Sequence, residues 1–155
     1  PNASTNMIIA ELHRKENKMG RVLTEVSLTN NQDVQLWKAN MLPEDKVRRV
    51  RMQAVIDTGA NHLVLPTAVA EALGLPKIGD IGVRYADGRS ARRETVDQVE
   101  LELLDRIGTF RASLESDRTT VLVGAIVMED LDLLVDCGKQ IVFPRDPDRI
   151  ITEIE

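Results

Sequence analysis

Apolar and polar residues alternate with period two over several short stretches of the chain, the spacing of half-buried β-strands. Val22, Thr24, Val26 and Leu28 interleave with Arg21, Leu23, Glu25 and Ser27, and Asn30-Asn31 ends the run with turn chemistry. Val50, Met52, Ala54 and Ile56 interleave with Arg49, Arg51, Gln53 and Val55. That second strand is polar at its start and apolar at its end, so it dives inward as it reaches Asp57. An Asp87-Gly88 pair between extended arms at 80–85 and 89–104 predicts a hairpin. Val99, Leu101 and Leu103, then Phe110, Ala112 and Leu114, alternate on either side of an expected turn at 105–108. Apolar runs at 121–123, 131–135 and 140–143 predict further strands, the last two joined by a tight turn at 136–139. A short strand is expected at 7–12, a polar turn at 15–20 and a final edge strand at 150–155.

Helical spacing is scarce. Pro66 suits a first helical turn, Ala68, Val69, Ala72 and Leu73 share a face, and Gly74 with Pro76 supplies a stop. Residues 125–130 predict a second short helix, and 33–46 an irregular insert with some helix, broken at Pro43. The sum is an all-β architecture with one or two short helices.

One stretch stands apart. Ala54-Val55-Ile56 delivers Asp57 into a tight Thr58-Gly59-Ala60 turn, and Leu63-Val64-Leu65 carries the chain away. A carboxylate beside apolar surface is costly unless it is hydrogen-bonded, paired or used.

Composition narrows the classes. At 155 residues the chain is sized for one domain, and its 43% apolar and 29% charged residues fit a globular protein. With aromatics at 3%, the core must be Val, Leu, Ile and Ala. A net charge of −5 argues against a general nucleic-acid binder. Cys137 is the sole cysteine, so no intrachain disulfide forms and a reducing, cytoplasmic setting is expected. His13 and His62 are the only histidines, which leaves no Cys-His motif for thiol catalysis and little material for zinc. The longest uncharged apolar run, Thr119 to Met128, falls short of the ~18 residues of a membrane span. Residues 1–6 are polar and lack a signal-peptide pattern.

Three pieces in order carry a family resemblance: Val55-Ile56-Asp57-Thr58-Gly59-Ala60, then Ala86-Asp87-Gly88, then Val121-Leu122-Val123-Gly124 before a short helix. Over 22–143 the chain resembles the retropepsin-like aspartic proteases, particularly the small bacterial single-domain forms. The resemblance implies a closed acid-protease barrel, one lobe per chain, paired as a two-fold homodimer. It implies an aspartic endopeptidase acting on peptides or proteins, without cofactor or metal, whose dyad is two copies of Asp57. In the general logic of such a dyad, two close carboxylates share one proton. The ionised one activates water and the protonated one donates to the scissile carbonyl. Thr58 would hold the turn by hydrogen bonding across the dimer, Gly59 would let the two turns approach, and Ala60 adds no hydroxyl. Asn61 and His62 would line the substrate cleft, Ala86, Asp87 and Gly88 would tip a flap, and Val123 and Gly124 would pack behind the turn.

The implied organisation is an N-terminal extension with a short strand at 1–21, a protease domain at 22–144, and a tail at 145–155 offering a dimer-interface strand. Two rivals stand beside the enzyme: a catalytically silent module of the same fold that binds peptide by strand addition, and a dimerisation module whose Asp57 merely caps its turn. Asp136-Cys137-Gly138 also reads as an Asp turn after a strand, but Cys replaces the hydroxyl residue and the separation from Asp57 is too short to hold a second complete lobe. Arg84, Arg89, Arg92 and Arg93 cluster on the hairpin arms, where a solvated face is the default.

Overall fold

The computed structural model describes residues 21–155; the expected strand at 7–12, the turn at 15–20 and His13 lie outside the described residues. Alternation becomes strand as expected in β1 (Arg21–Asn30) and β2 (Arg49–Asp57), which pair antiparallel from Arg21↔Asp57 to Thr29↔Arg49. Burial deepens along β2: Val50 and Met52 are half-buried, while Ala54 and Ile56 are fully enclosed. β3 (Leu63–Pro66), α2 (Thr67–Leu73, the second helix in the chain), β4 (Lys77–Arg84), β5 (Ser90–Leu103), β6 (Arg106–Glu115) and β7 (Val121–Val123) follow. A third helix, α3 (Ala125–Asp130), leads to a separate two-stranded sheet of β8 (Leu133–Asp136) and β9 (Ile141–Pro144).

The main sheet runs β1-β2-β7-β3-β6-β5, and β5 returns to β1, closing a six-stranded barrel. Strand β4 continues outward from β5 alone. The barrel interior is aliphatic: Val26 and Leu28, Ala54 and Ile56, Leu63 and Leu65, Val99 and Leu101, and Val121 and Val123 interlock there. Strand β5 serves two structures at once. Its first half pairs with β4, its second with β1, and β6 pairs with it from Thr95 onward, with a register break between Val96 and Val99. Gln98 takes φ 64° at that break, the geometry of a bulge that bends a strand.

The insert is more regular than its spacing predicts. The first helix, α1 (Asn31–Lys38), and a 3-10 turn (Glu44–Lys46) occupy it, so the described chain has three short α-helices. The cause is Asn30, which does more than end a strand. Its Oδ1 accepts the Asp33 amide at 3.1 Å, capping α1, while its Nδ2 donates to the Leu73 carbonyl at 2.8 Å. The buried Asp33 carboxylate accepts the Arg48 amide at 3.0 Å and its Nε at 2.8 Å, tying the insert to β2. Hydrogen bonds from Arg48 hold the Asp33 carboxyl below its ordinary range.

Three further expectations need correction. The turn expected at 105–108 is tighter: Leu104 and Asp105 both take positive φ, and β6 begins at Arg106. That is the two-residue hairpin geometry whose twist suits its strands. The strand expected at 131–135 starts later, at Leu133, because Asp132 takes φ 55° and is gripped by Arg106 and Arg145. Residues 150–155 form no strand within the chain.

Candidate active site

Strand β2 ends on Asp57, whose side chain is 21% exposed at the barrel mouth. The turn after it is held locally. The Gly59 amide donates to Asp57 Oδ1 at 3.0 Å, and the Ala60 amide to the Asp57 carbonyl at 3.0 Å. A side chain at residue 59 would meet Asp57 Oδ1 at 3.2 Å, so glycine keeps the carboxylate unobstructed. Thr58 is exposed beside it.

The turn is also held from behind. The amides of Gly124, Ala125 and Ile126 donate to the carbonyls of His62, Ala60 and Asn61 at 3.1, 2.9 and 3.0 Å. Val123 is fully buried in register with Ile56, the residue before Asp57. A β-carbon on Gly124 would lie 2.6 Å from the Asn61 and His62 backbones. The side chains of Asn61 and His62 are exposed.

The β4–β5 hairpin reaches away from the barrel. Its tip is a three-residue loop, Ala86-Asp87-Gly88, spanned by the Tyr85 amide donating to the Arg89 carbonyl at 2.8 Å. Gly88 takes φ 88°, so the positive-φ residue closes the loop as in a type I turn with a bulge. Asp87 pairs with Arg89, whose amide and side-chain hydrogen bonds hold its carboxyl below the ordinary range. At the loop's foot the Tyr85 hydroxyl donates to Glu115 at the end of β6, and Arg93 Nε donates to the same carboxylate at 3.0 Å. The Glu115 carboxylate pushes the Tyr85 hydroxyl up from its ordinary value.

Two arginines whose charge interacts with that of Asp57 escaped the sequence reading. Arg21 faces Asp57 across the β1–β2 ladder, with its Nε 3.6 Å from Oδ2. The signal was available: Arg21 opens the strand antiparallel to the one that Asp57 ends. Arg118, in the loop between β6 and β7, had no signal in its spacing. It is half-buried and donates from Nε to the Thr120 carbonyl at 3.0 Å. Desolvation and then the Arg21 charge push its guanidinium below the usual arginine range, while Glu115 and Asp57 act in the opposite sense.

Asp136 ends β8 in the separate sheet and accepts the Lys139 amide at 3.0 Å, a local turn role. Of the hairpin arginines, Arg89 and Arg93 are engaged by carboxylates, and Arg92 donates to the Asp80 carbonyl at 3.3 Å. Among the described residues no group of three His, Cys, Asp or Glu side chains is placed to hold a metal. Nor is any helix there long and apolar enough to cross a membrane.

The family model described as "Aspartyl protease" matches residues 45–135. The curated proteins give no match. Among solved structures, EIAV protease complexed with the inhibitor HBY-793 superposes with a TM-score of 0.52 at 19% identity, covering 73% of this chain and 89% of that one. The likeness in structure extends the shared barrel beyond the matched residues, and the sequence match spans more than half of the chain. The chain therefore belongs to the aspartyl protease family, and it is an aspartic-type endopeptidase with the retropepsin-like fold.

Proposed function

We propose that this chain hydrolyses peptide bonds as a homodimer whose dyad is Asp57 from each protomer. The observation that carries the reading is the setting of Asp57. A barrel strand places one carboxylate at the mouth, a glycine leaves it open, and three backbone hydrogen bonds from the Gly124 segment brace its turn. Among the described residues its ion-pair partner is Arg21, and in this reading the second carboxylate comes from another copy.

In the dimer one proton is shared between the two carboxylates. The ionised Asp57 takes a proton from water as the oxygen attacks the scissile carbonyl carbon. The protonated Asp57 donates to the carbonyl oxygen. Collapse of the tetrahedral species returns a proton to the leaving amine and breaks the C–N bond. Thr58 braces the two turns against each other, and Asn61 and His62 line the cleft. The Ala86-Asp87-Gly88 tip closes over substrate and excludes water.

Exposed apolar side chains support the pairing. Ile126, Leu134, Ile141 and Phe143 lie open on α3 and the β8–β9 sheet, and a hollow of about 580 Å³ beside Thr58 is lined by Met128, Leu134 and Ile151. Burial of such surface is the main favourable contribution to association. In this reading the 145–155 tail, which lends Ile151 and Thr152 to the hollow, extends that face.

The test is a peptide-library digest with parent and Asp57→Asn protein, run beside sedimentation of both. Cleavage abolished in a variant that still folds and dimerises is the expected result. Cleavage that survives the substitution, or a fully active monomer, would overturn the reading. Peptide affinity without turnover in the parent would favour a silent binding module.

A further inference from the structure

Asn30 and Asn31 stand side by side where β1 passes into α1, and their side chains bind different parts of the chain. Asn30 Nδ2 donates to the Leu73 carbonyl at 2.8 Å and to the Gly74 carbonyl at 3.4 Å, at the end of α2. Only Leu75 and Pro76 separate that point from the start of β4. Asn31 Nδ2 donates to Gln98 Oε1 at 2.8 Å, on β5. One turn along α1, Gln35 Nε2 donates to Asn31 Oδ1 at 3.2 Å and so fixes which way the Asn31 amide faces. The Asp97 amide donates to the Pro76 carbonyl at 3.1 Å, joining the two hairpin arms where they begin. Two consecutive asparagines therefore hold both roots of the β4–β5 hairpin.

We propose that the α1 insert is the mounting of the hairpin, and that Asn31 is a positioning residue for peptide cleavage, setting through Gln98 where the Ala86-Asp87-Gly88 tip stands over the substrate. The proposal rests on the endopeptidase reading above. Strand pairing fixes the hairpin's direction poorly at this end. Among the described residues β4 pairs with β5 alone, and β5 loses its register with β6 between Val96 and Val99. Gln98 takes φ 64° there, which a glutamine does not favour, so a bond to its side chain helps to hold it. The length of the arm magnifies any error. At about 3.3 Å per residue, a tilt of about 5° at the root moves the far end of β4 by roughly 2 Å. A displacement of that size is enough to slow a reaction that depends on closure over the substrate. The Glu115 contacts hold the arms nearer the tip, and the asparagines fix where the arms begin.

Asn30 is fully buried and caps α1, so the test uses Asn31 and Gln98, which are half-buried. Gln98→Asn tolerates positive φ but is one methylene too short to keep the bond. Asn31→Ala and Gln98→Asn are each expected to lower kcat/KM about fivefold, the effect of one neutral hydrogen bond. The double variant falls no further than either, because all three lose the same contact. Asn31→Asp, which accepts from the Gln98 amide nitrogen, returns kcat/KM to the parent value. Amides across 77–84 exchange about fivefold faster in Asn31→Ala and regain protection in Asn31→Asp. A lower urea midpoint with unchanged kcat/KM, or losses that add in the double variant, overturns the proposal. Hydrogen exchange separates it from the reading it rests on. Protection lost across 77–84 in Asn31→Ala, with no turnover in the parent, upholds the mounting and removes the endopeptidase. Turnover in the parent that neither substitution alters does the reverse.

Discussion

The Gly124 amide donates to the His62 carbonyl at 3.1 Å, and the space between these backbones has no room for a side chain. Gly124→Ala should therefore force apart the two segments that brace the Asp57 turn. A loss of about 1–3 kcal/mol is expected, the usual range for overpacking. Activity should fall further than stability, because the displaced turn carries the carboxylate. Gly82→Ala is the control: the nearest atom to its added carbon is 4.0 Å away, and a change within about 0.5 kcal/mol is expected. Urea unfolding of both variants checks the contrast, and equal destabilisation would count against it.

Asp33→Ala removes the acceptor for both the Arg48 amide and its guanidinium. The Arg48 side chain is about half exposed, so water recovers part of the loss. A cost of about 1–3 kcal/mol is expected from the orphaned amide. The α1 insert should loosen first, which hydrogen exchange across 31–48 would detect. Protection there equal to that of the parent would show that Asp33 does not hold the insert.

Acid should weaken the fold through the same carboxylate and one other. Arg48 holds Asp33 below its ordinary range, and Arg145, then Arg106, does so for Asp132. In the unfolded chain both revert to values near ~3.9. As pH falls, the unfolded state takes up these protons first. Stability contributed above about pH 4 is then lost as pH drops through the lower folded values. Urea midpoints should stay flat from neutral pH to about 5 and decline below about 4. The Asp33→Asn, Asp132→Asn double variant should start lower and decline less, and an equally steep decline would refute the assignment.

Tyr85→Phe deletes the hydroxyl that fastens the hairpin foot to Glu115 but keeps the ring beneath Arg89 and Arg93. One hydrogen bond to a charged acceptor is worth about 1.5–3 kcal/mol. Amides of the β4 arm should exchange at least tenfold faster, and kcat/KM should fall with the barrel's stability little changed. Unaltered exchange in 77–93 would show that the contact does not restrain the hairpin.

Much of this fold is legible in the sequence because barrel strands carry their own period. Ala54 and Ile56 alternate, become fully buried and end on Asp57, and the Asp87-Gly88 pair marks the hairpin tip. What could not be read depends on partners far along the chain. Asn30 looks like a turn residue, yet its second role is set by the Leu73 carbonyl, 43 positions away. Asp132 looks like the start of a strand until Arg106 and Arg145 close on it. Arg118 sits in a polar loop without period, and its hydrogen bonds to Thr120 follow from how that loop folds back on itself. Charge arrangements of this kind arise from tertiary packing, which residue spacing does not encode.

The register break at Gln98 has a mechanical side. A continuous 14-residue strand would transmit any swing of the hairpin straight into the barrel seam. The bulge interrupts that continuity, so the strand changes course there while Val99, Leu101 and Leu103 stay buried in the barrel. A β-branched residue in place of Gln98 resists positive φ and would strain the bulge. The hairpin arm and the barrel seam belong to one strand, and the change of course between them rests on one residue's backbone angle.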